Sequence, residues 1–544
     1  MIGLNSVGVL VPSLVGFAFI LPLLGKLIKN VKFFHIYAAL ASLWAAILAT
    51  YNAYLVFTAG TQVYPFGGWP PPLGIAYELD KLNALLGMVT ALVMLAITIY
   101  SAWYLKDYEG VAYYYTLLLG LEVGLIGCLY TGDAFNLFVM LEVLSISAYA
   151  LVGFYRSKPE AVEAAIKYGM FGAVATTLYF VGLVFIYATF GTLNMADLAF
   201  KLTFYVYYPV PNPFSGTFFG NPYVASAVAL ALALWAFTYK SAAFPNHFWL
   251  PDAHPEAPTP VSAALSGLVV NVGVYAIVRF LYTIFGPSAF VVQLRDAVLI
   301  ALLVLGIASG LIGALMMVVQ EDIKRLLAYS TISHIGLVLV GVAIGTSSTL
   351  NQNSLAYVLG LAGGIYHMVN HTLGKALLFL VSGILIALAG GSRKLDDIGG
   401  VGRRYPLVSL ALFLGVFQLL GVPPFGGFFS KLLIYSAYME AGMPYVSLMV
   451  ILISAISLLG YVKLIYASVF KVGSPKVEQT TKVSLPTAIV LALGIACLVT
   501  GLATTYITSM MFDVVGSFAT PQGVYDYWQS FFNTLLNLAS GVMR

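Results

Sequence analysis

VASAVALALALWAFTYKSAAFPNHFWLPDAHPEAPTP, residues 224–260, opens as an apolar helix, reaches a lysine at Lys240, and then breaks into a run with five prolines. The apolar window Val224–Phe244 has the length of a bilayer crossing, roughly 20 residues for a hydrocarbon core of about 30 Å. Proline removes a backbone donor and clashes with the preceding turn, so Pro245, Pro251, Pro255, Pro258 and Pro260 interrupt the helix. Irregular backbone at membrane depth is tolerated only where protein covers it or where it lines a wet cavity. A buried lysine beside such a break therefore predicts a polar interior within a membrane protein.

Outward from this stretch, apolar windows recur along all 544 residues, 61% of which are hydrophobic and 8% charged. Soluble domains carry about 25% charged residues, so lipid is the solvent here. Windows near Leu4–Leu27, Phe34–Phe57, Leu82–Trp103, Val111–Tyr130, Phe135–Tyr155, Ala164–Phe190 and Val224–Phe244 form the first half. Those near Val261–Phe285, Ala297–Val319, Leu326–Ile344, Leu355–Ala389, Leu407–Met439, Val446–Phe470 and Leu485–Ile507 follow, about fourteen crossings in all. The first window lacks a basic leader and a small-residue cleavage site and is expected to be retained. Thr58–Leu79 and Gly191–Pro222 are expected to be extramembrane loops, and the aromatic tail Val524–Arg544 to lie on the membrane surface or on a neighbour.

Charge sets the expected orientation. With the N-terminus outside, inner connections receive most of the basic residues, among them Lys26, Arg156, Lys158, Lys324, Arg393 and Lys476. Lys81, Lys201, Arg295 and Arg544 fall to the outer side. A multi-pass cell-membrane protein with both termini outside is the expectation. The net charge of +4 forms no aromatic-basic patch for nucleic acid. Cys128 and Cys497 have no CxxC partner and are expected to be small buried hydrophobes; this chain alone cannot ligate an iron–sulfur cluster. No dinucleotide fingerprint suggests a cofactor.

Lys240, Lys375, Lys431, Glu122 and Glu142 remain inside apolar windows, with Arg279 and Lys463 nearer helix ends. Each buried charge costs about 2.5–3.5 kcal/mol even on a lenient insertion scale, so these five are expected to face a polar interior. Lys431 follows a second break, LGVPPFGGFFS. Interrupted helices in corresponding halves are the pattern of inverted-repeat transporters. Lys240 and Lys431 stand 191 positions apart and Glu142 and His334 192 apart, so one shift carries an acid–lysine pair onto a histidine–lysine pair. The expected organisation is 1–110, N-terminal helices; 111–285 and 296–470, the two repeats; and 485–544, the last helix and tail.

In YHMVNHTLGK, His367, His371 and Lys375 recur every four residues and share one helix face. HxxxH without a third ligand is a weak metal signal, and no metal is expected. Two roles fit: histidines satisfied by neighbouring hydroxyls or carbonyls, or a proton relay, since His titrates near neutrality. His334, in STISHIG, extends the same polar path.

At these motifs the chain resembles the antiporter-like subunits shared by complex I, Mrp-type Na+/H+ antiporters and membrane-bound energy-converting hydrogenases, with the Mrp D-type subunit the nearest likeness. The stretches that carry the resemblance are GGWPPPLGI (67–75), GDAFNLFVMLEVLSISAY (132–149), GTLNMADL (191–198), WLPDAHPEAPTPVSA (249–263), DIKRLLAYS (322–330) and PPFGGFFSK (423–431). The resemblance implies an all-α fold of fourteen helices, two inverted five-helix repeats and a polar axis midway across the bilayer. It implies that Glu142 is the acid on the fifth helix and Lys240 its partner on the broken seventh. His334 and Lys375 then form a central relay, and Lys431 is the terminal lysine on the broken twelfth helix. Asn271 stands where the family often has lysine, and water or hydroxyls such as Ser262 and Ser266 would have to bridge it. Other membrane subunits, lipid, and H+ or Na+ are the implied partners, with no cofactor and no redox centre in this chain. The competing expectations are a non-conducting structural subunit and a stand-alone cation/proton antiporter.

Overall fold

A computed structural model describes residues 5–106, 108, 110–206, 214–472 and 482–540. Lys476 and Arg544, used above for orientation, lie outside the described residues. Thirteen described helices are long and apolar enough to cross a membrane: Ser6–Leu27, Val31–Ala59, Lys81–Tyr104, Val111–Tyr130, Ala134–Val152, Pro159–Phe190, Pro222–Lys240, Thr259–Ile284, Val292–Val319, Ile323–Ala343, Ser354–Leu388, Pro444–Phe470 and Ser484–Leu502. The remaining crossing, twelfth in chain order, is split into Pro406–Leu420 and Gly426–Glu440. The fold is that of a polytopic α-helical membrane protein.

Polar caps mark where these helices begin. Asn5, Asn30, Asp80, Asp133, Asn221, Asp322 and Asn353 each accept a hydrogen bond from a backbone N–H of the first turn. Such caps satisfy donors that would otherwise be stranded at the apolar boundary. The connections are stitched into two layers. On the face of the termini, a hairpin (Gln62–Pro65 with Ala76–Leu79) meets Thr131 through Tyr77, Asp133 pairs with Asn194, and Lys81 bridges to Asp513 at 2.6 Å. On the opposite face, Asp322 pairs with Lys394, Arg393 bridges to Glu256 at 3.0 Å, and Lys471 bridges to Asp396 at 2.6 Å.

Several expectations change in detail. Thr58–Leu79 contains the hairpin, and Gly191–Pro222 contains a helix, Met195–Phe204. The tail packs on the chain itself: in the helix Pro521–Ala539, Trp528 and Phe532 lie 5.2 and 5.4 Å from the Phe200 ring. Arg295 is not a solvated loop residue. It is fully buried, donating to the carbonyls of Leu281 and Gly345 at the ends of two helices.

Thr259–Ile284 and Ile323–Ala343 are buried on every side, whereas Pro159–Phe190 and Val292–Val319 show lipid a long exposed flank. Close glycine contacts hold the inner helices. A Cβ on Gly336 would fall 2.4 Å from the backbone nitrogen of Gly310, and one on Gly341 would fall 2.8 Å from the Gly364 Cα. With no hydrophobic drive between helices in lipid, such backbone approach is what packs them. It places the polar faces of Ile323–Ala343 and Ser354–Leu388 against each other.

Candidate functional site

The second break builds the lysine site from its own backbone. Pro406–Leu420 ends at Gly421, whose φ of +78° suits glycine. The carbonyls of Leu419 and Leu420 are left at this end and accept from Lys431 Nζ at 2.9 and 3.1 Å. An ammonium at a helix C-terminus meets both the orphan carbonyls and the negative end of the helix dipole.

From the residue before it, Ser430, a row of side chains crosses the interior. Ser430 Oγ lies 2.9 Å from His367 Nδ1, and His367 Nε2 lies 3.1 Å from His334 Nδ1. His334 Nε2 lies 3.0 Å from the Tyr461 hydroxyl. That hydroxyl bonds Ser330, which accepts from Lys375 Nζ; Lys375 also donates to the Leu327 carbonyl at 3.1 Å. Helices Ile323–Ala343, Ser354–Leu388, Gly426–Glu440 and Pro444–Phe470 each contribute a member. Every member is buried. Hydroxyls and imidazoles both donate and accept, so such a row can pass a proton. His371 stands beside it: its ring centroid is 5.9 Å from that of His334, and neither ring nitrogen has a hydrogen-bond partner among the described residues.

In the first half, Lys240 ends its helix and donates to Ser145 Oγ and, at 3.3 Å, to the Tyr149 hydroxyl. The break beyond it is satisfied by protein: Phe244 N donates to Ser309 Oγ at 2.6 Å and Trp249 Nε1 to the Tyr239 carbonyl at 2.9 Å. Glu142, expected as the partner of Lys240, makes no hydrogen bond or ion pair among the described residues and is half-buried. The lysine is served by hydroxyls one and two turns along the same helix. Glu122 is fully buried, with Oε2 accepting from Ser42 at 2.8 Å and Oε1 without a partner among the described residues.

Between the halves, Asn271 Nδ2 donates to the carbonyls of Gly267 and Met368 at 2.8 and 3.3 Å and to Thr372 Oγ1 at 2.7 Å. Its Oδ1 has no hydrogen-bond partner among the described residues. The expected bridging serines point elsewhere. Ser262 donates to the His254 carbonyl, and Ser266 bonds Thr331. The hydroxyl that meets Asn271 belongs to Thr372, one residue after His371. Lys324, expected in an inner connection, is buried and caps the carbonyls of His254 and Ala257 at 3.0 and 2.6 Å.

Sequence reasoning missed Ser145, Tyr149, Ser330, Thr372, Ser430 and Tyr461. Ser145, Tyr149, Ser330, Thr372 and Ser430 lie inside the motifs quoted above, so proximity to a buried charge could have flagged them. Tyr461 sits in an ordinary apolar helix with nothing in the sequence to single it out.

The profile of the NADH:quinone oxidoreductase/Mrp antiporter transmembrane family matches residues 131–457. The D-type subunit of a Na(+)/H(+) antiporter from Bacillus subtilis is 30% identical over 514 residues, covering 92% of this chain and 96% of that protein. The N-type subunit of an NADH-quinone oxidoreductase from Desulforudis audaxviator is 32% identical over 490 residues, 86% of this chain and 90% of that one. Among solved structures, a chain of the membrane-bound sulfane sulfur reductase, an archaeal respiratory membrane complex, superposes with a TM-score of 0.82 at 28% identity. It covers 96% of this chain and 99% of its own length.

Proposed function

The chain belongs to the NADH:quinone oxidoreductase/Mrp antiporter transmembrane family, and from that premise we propose that it moves protons as a membrane subunit of an energy-converting complex. The observation that carries this reading is the hydrogen-bonded row Lys375–Ser330–Tyr461–His334–His367–Ser430, ending beside Lys431. A static ion-pair cluster would pair cations with carboxylates. This row instead leads from one lysine to the residue beside another, through groups that can each lose one proton as they gain another.

In the proposed mechanism Lys375 gives up a proton to the row, each hydroxyl or imidazole hands on the one it held, and Lys431 receives the last. Two ammonium groups sharing a low-dielectric interior repel, so loading one favours unloading the other. Lys240, with Ser145 and Tyr149, forms a separate loading site in the first half, and Glu142, half-buried three residues before Ser145 on the same helix, exchanges protons with it. Residues 111–285 and 296–470 act as the two repeats, and both termini lie on the outer side.

Pumping by the reconstituted complex tests this. Lys375→Met should assemble and lose most proton translocation, since methionine keeps the stem volume and deletes the titrating group. Wild-type pumping by an intact Lys375→Met complex would overturn the reading.

A further inference from the structure

The layer on the face of the termini holds a second cluster of buried charge that the row above does not use. Glu78, on the second hairpin strand opposite Val63, is 1% exposed, and neither carboxyl oxygen is within hydrogen-bond contact of a partner among the described residues. Asp80, also 1% exposed, caps the helix Lys81–Tyr104 and accepts from Arg279 Nη1 at 2.6 Å. Arg279 is fully buried; its Nε donates to the Tyr275 hydroxyl at 3.3 Å, and its Nη2 has no acceptor among the described residues. Tyr527, from the C-terminal helix, closes the top, with its ring 5.2 Å from the guanidinium and its hydroxyl turned toward the Glu78 carboxyl, which it helps to hold. On the remaining side the carboxyl lies over Gly132, where a Cβ would sit 3.3 Å from Oε2, with Asp133 next in that loop.

One arginine cannot neutralise two carboxylates. Asp80 holds the short bond to Arg279, so the cluster retains a proton on Glu78, since a second buried unpaired charge is costly. Burial pushes the Glu78 carboxyl well above its usual range, against the pull of Arg279. Both states have a place here. The neutral acid suits the apolar cover, and the carboxylate formed on release would find Arg279 Nη2 waiting without an acceptor. Asn271, Tyr275 and Arg279 recur every four residues, so the cluster caps the helix face that carries the polar residue between the two halves.

We propose that Glu78 is a proton-exchange site of this chain, joining that face of Thr259–Ile284 to the aqueous side bearing the termini, with Tyr527 as its lid. On release the carboxyl O–H breaks, the proton leaves on water and Arg279 Nη2 donates to the new carboxylate; uptake reverses this. The role in transport rests on the function proposed above, whereas the protonation of Glu78 stands apart from it.

Infrared difference spectroscopy of the reconstituted complex in a pH jump tests both parts, with vesicle pumping run in parallel. A protonated-carboxyl band that Glu78→Gln removes is expected, together with a several-fold drop in pumping. Tyr527→Ala leaves the carboxyl in place and opens the lid, so the band should exchange faster in D2O. The same band in Glu78→Gln, or wild-type pumping by Glu78→Gln in a preparation where Lys375→Met is inactive, overturns the proposal. If Lys375→Met itself pumps normally, the function reading fails instead, and the two failures are told apart.

Discussion

His334 Nδ1 lies 3.1 Å from His367 Nε2, and with the two ends of their row this contact sets the direction of every hydrogen bond in it. Lys375 can only donate, and it donates to Ser330. At the far end Ser430 Oγ donates to the Gly427 carbonyl, 3.1 Å away, which can only accept. One consistent arrangement joins these ends: Lys375 to Ser330, Tyr461, His334, His367, Ser430 and Gly427, each donating onward. Both neutral imidazoles then carry their proton on Nδ1. Nitrogen-15 NMR of labelled protein should find the Nδ1–H tautomer at His334 and His367. Nε2–H at either would mean that the row is not polarised from Lys375.

Tyr461→Phe removes one oxygen and cuts the row in the middle. Ser330 and His334 Nε2 each lose a partner in a buried site, a stability loss of about 1–3 kcal/mol. The complex should still assemble, while proton translocation falls by about tenfold or more, equivalent to roughly 1.4 kcal/mol on the barrier. Unchanged pumping would place the proton route elsewhere.

In the first half, Lys240 is bonded to Ser145 and Tyr149 and not to Glu142. A double-mutant cycle of Lys240→Met with Tyr149→Phe should therefore be non-additive in translocation, and one with Glu142→Gln close to additive. Strong coupling of Glu142 with Lys240 would show that the pair forms in a working state with the lysine turned away from Ser145.

Asn271→Leu strips Thr372 and two backbone carbonyls of a shared donor and dries the contact between halves. It should slow translocation and lower thermal stability. Asn271→Lys should assemble, because the site is a protein-covered polar interior, and should shift the pH profile of pumping by adding a titrating group. If Asn271→Leu pumps as wild type, protons do not cross between the halves at this point.

Asp133, capping Ala134–Val152 on the face of the termini, has its carboxyl pushed up from 3.8 to about 6 by burial. Below the lower value folded and unfolded chains both hold the proton. Between the two the unfolded chain has lost it and the folded chain still binds it, so stability falls as pH rises through this window. Asp133→Asn preserves the cap and should flatten that part of the Tm–pH curve. An unchanged slope between these values would locate the titration in another group.

The membrane class, the fourteen crossings and both helix breaks follow from local features of the sequence. A span declares itself by a run of apolar residues, and a break by prolines and glycines within it, as at Phe244–Pro260 and Gly421–Gly427. Buried lysines are equally plain, because Lys240, Lys375 and Lys431 stand out against apolar neighbours. The recognisable motifs extended this to the family.

What bonds those lysines was decided only by packing. Tyr461 meets His334 across 127 positions and Ser330 across 131, and no local pattern encodes such a contact. The expectation of a Glu142–Lys240 pair came from the family resemblance, but the packing of the fifth and seventh helices turns the ammonium toward Ser145. Asn271 likewise drew Thr372, not Ser262 or Ser266, because Ser354–Leu388 crosses at that level. Composition and breakers determine which segments enter the membrane and where they stop, since each residue meets lipid or water on its own account. Which polar groups share a hydrogen bond depends on the rotation and register of packed helices, a property of the assembled bundle that no single segment carries.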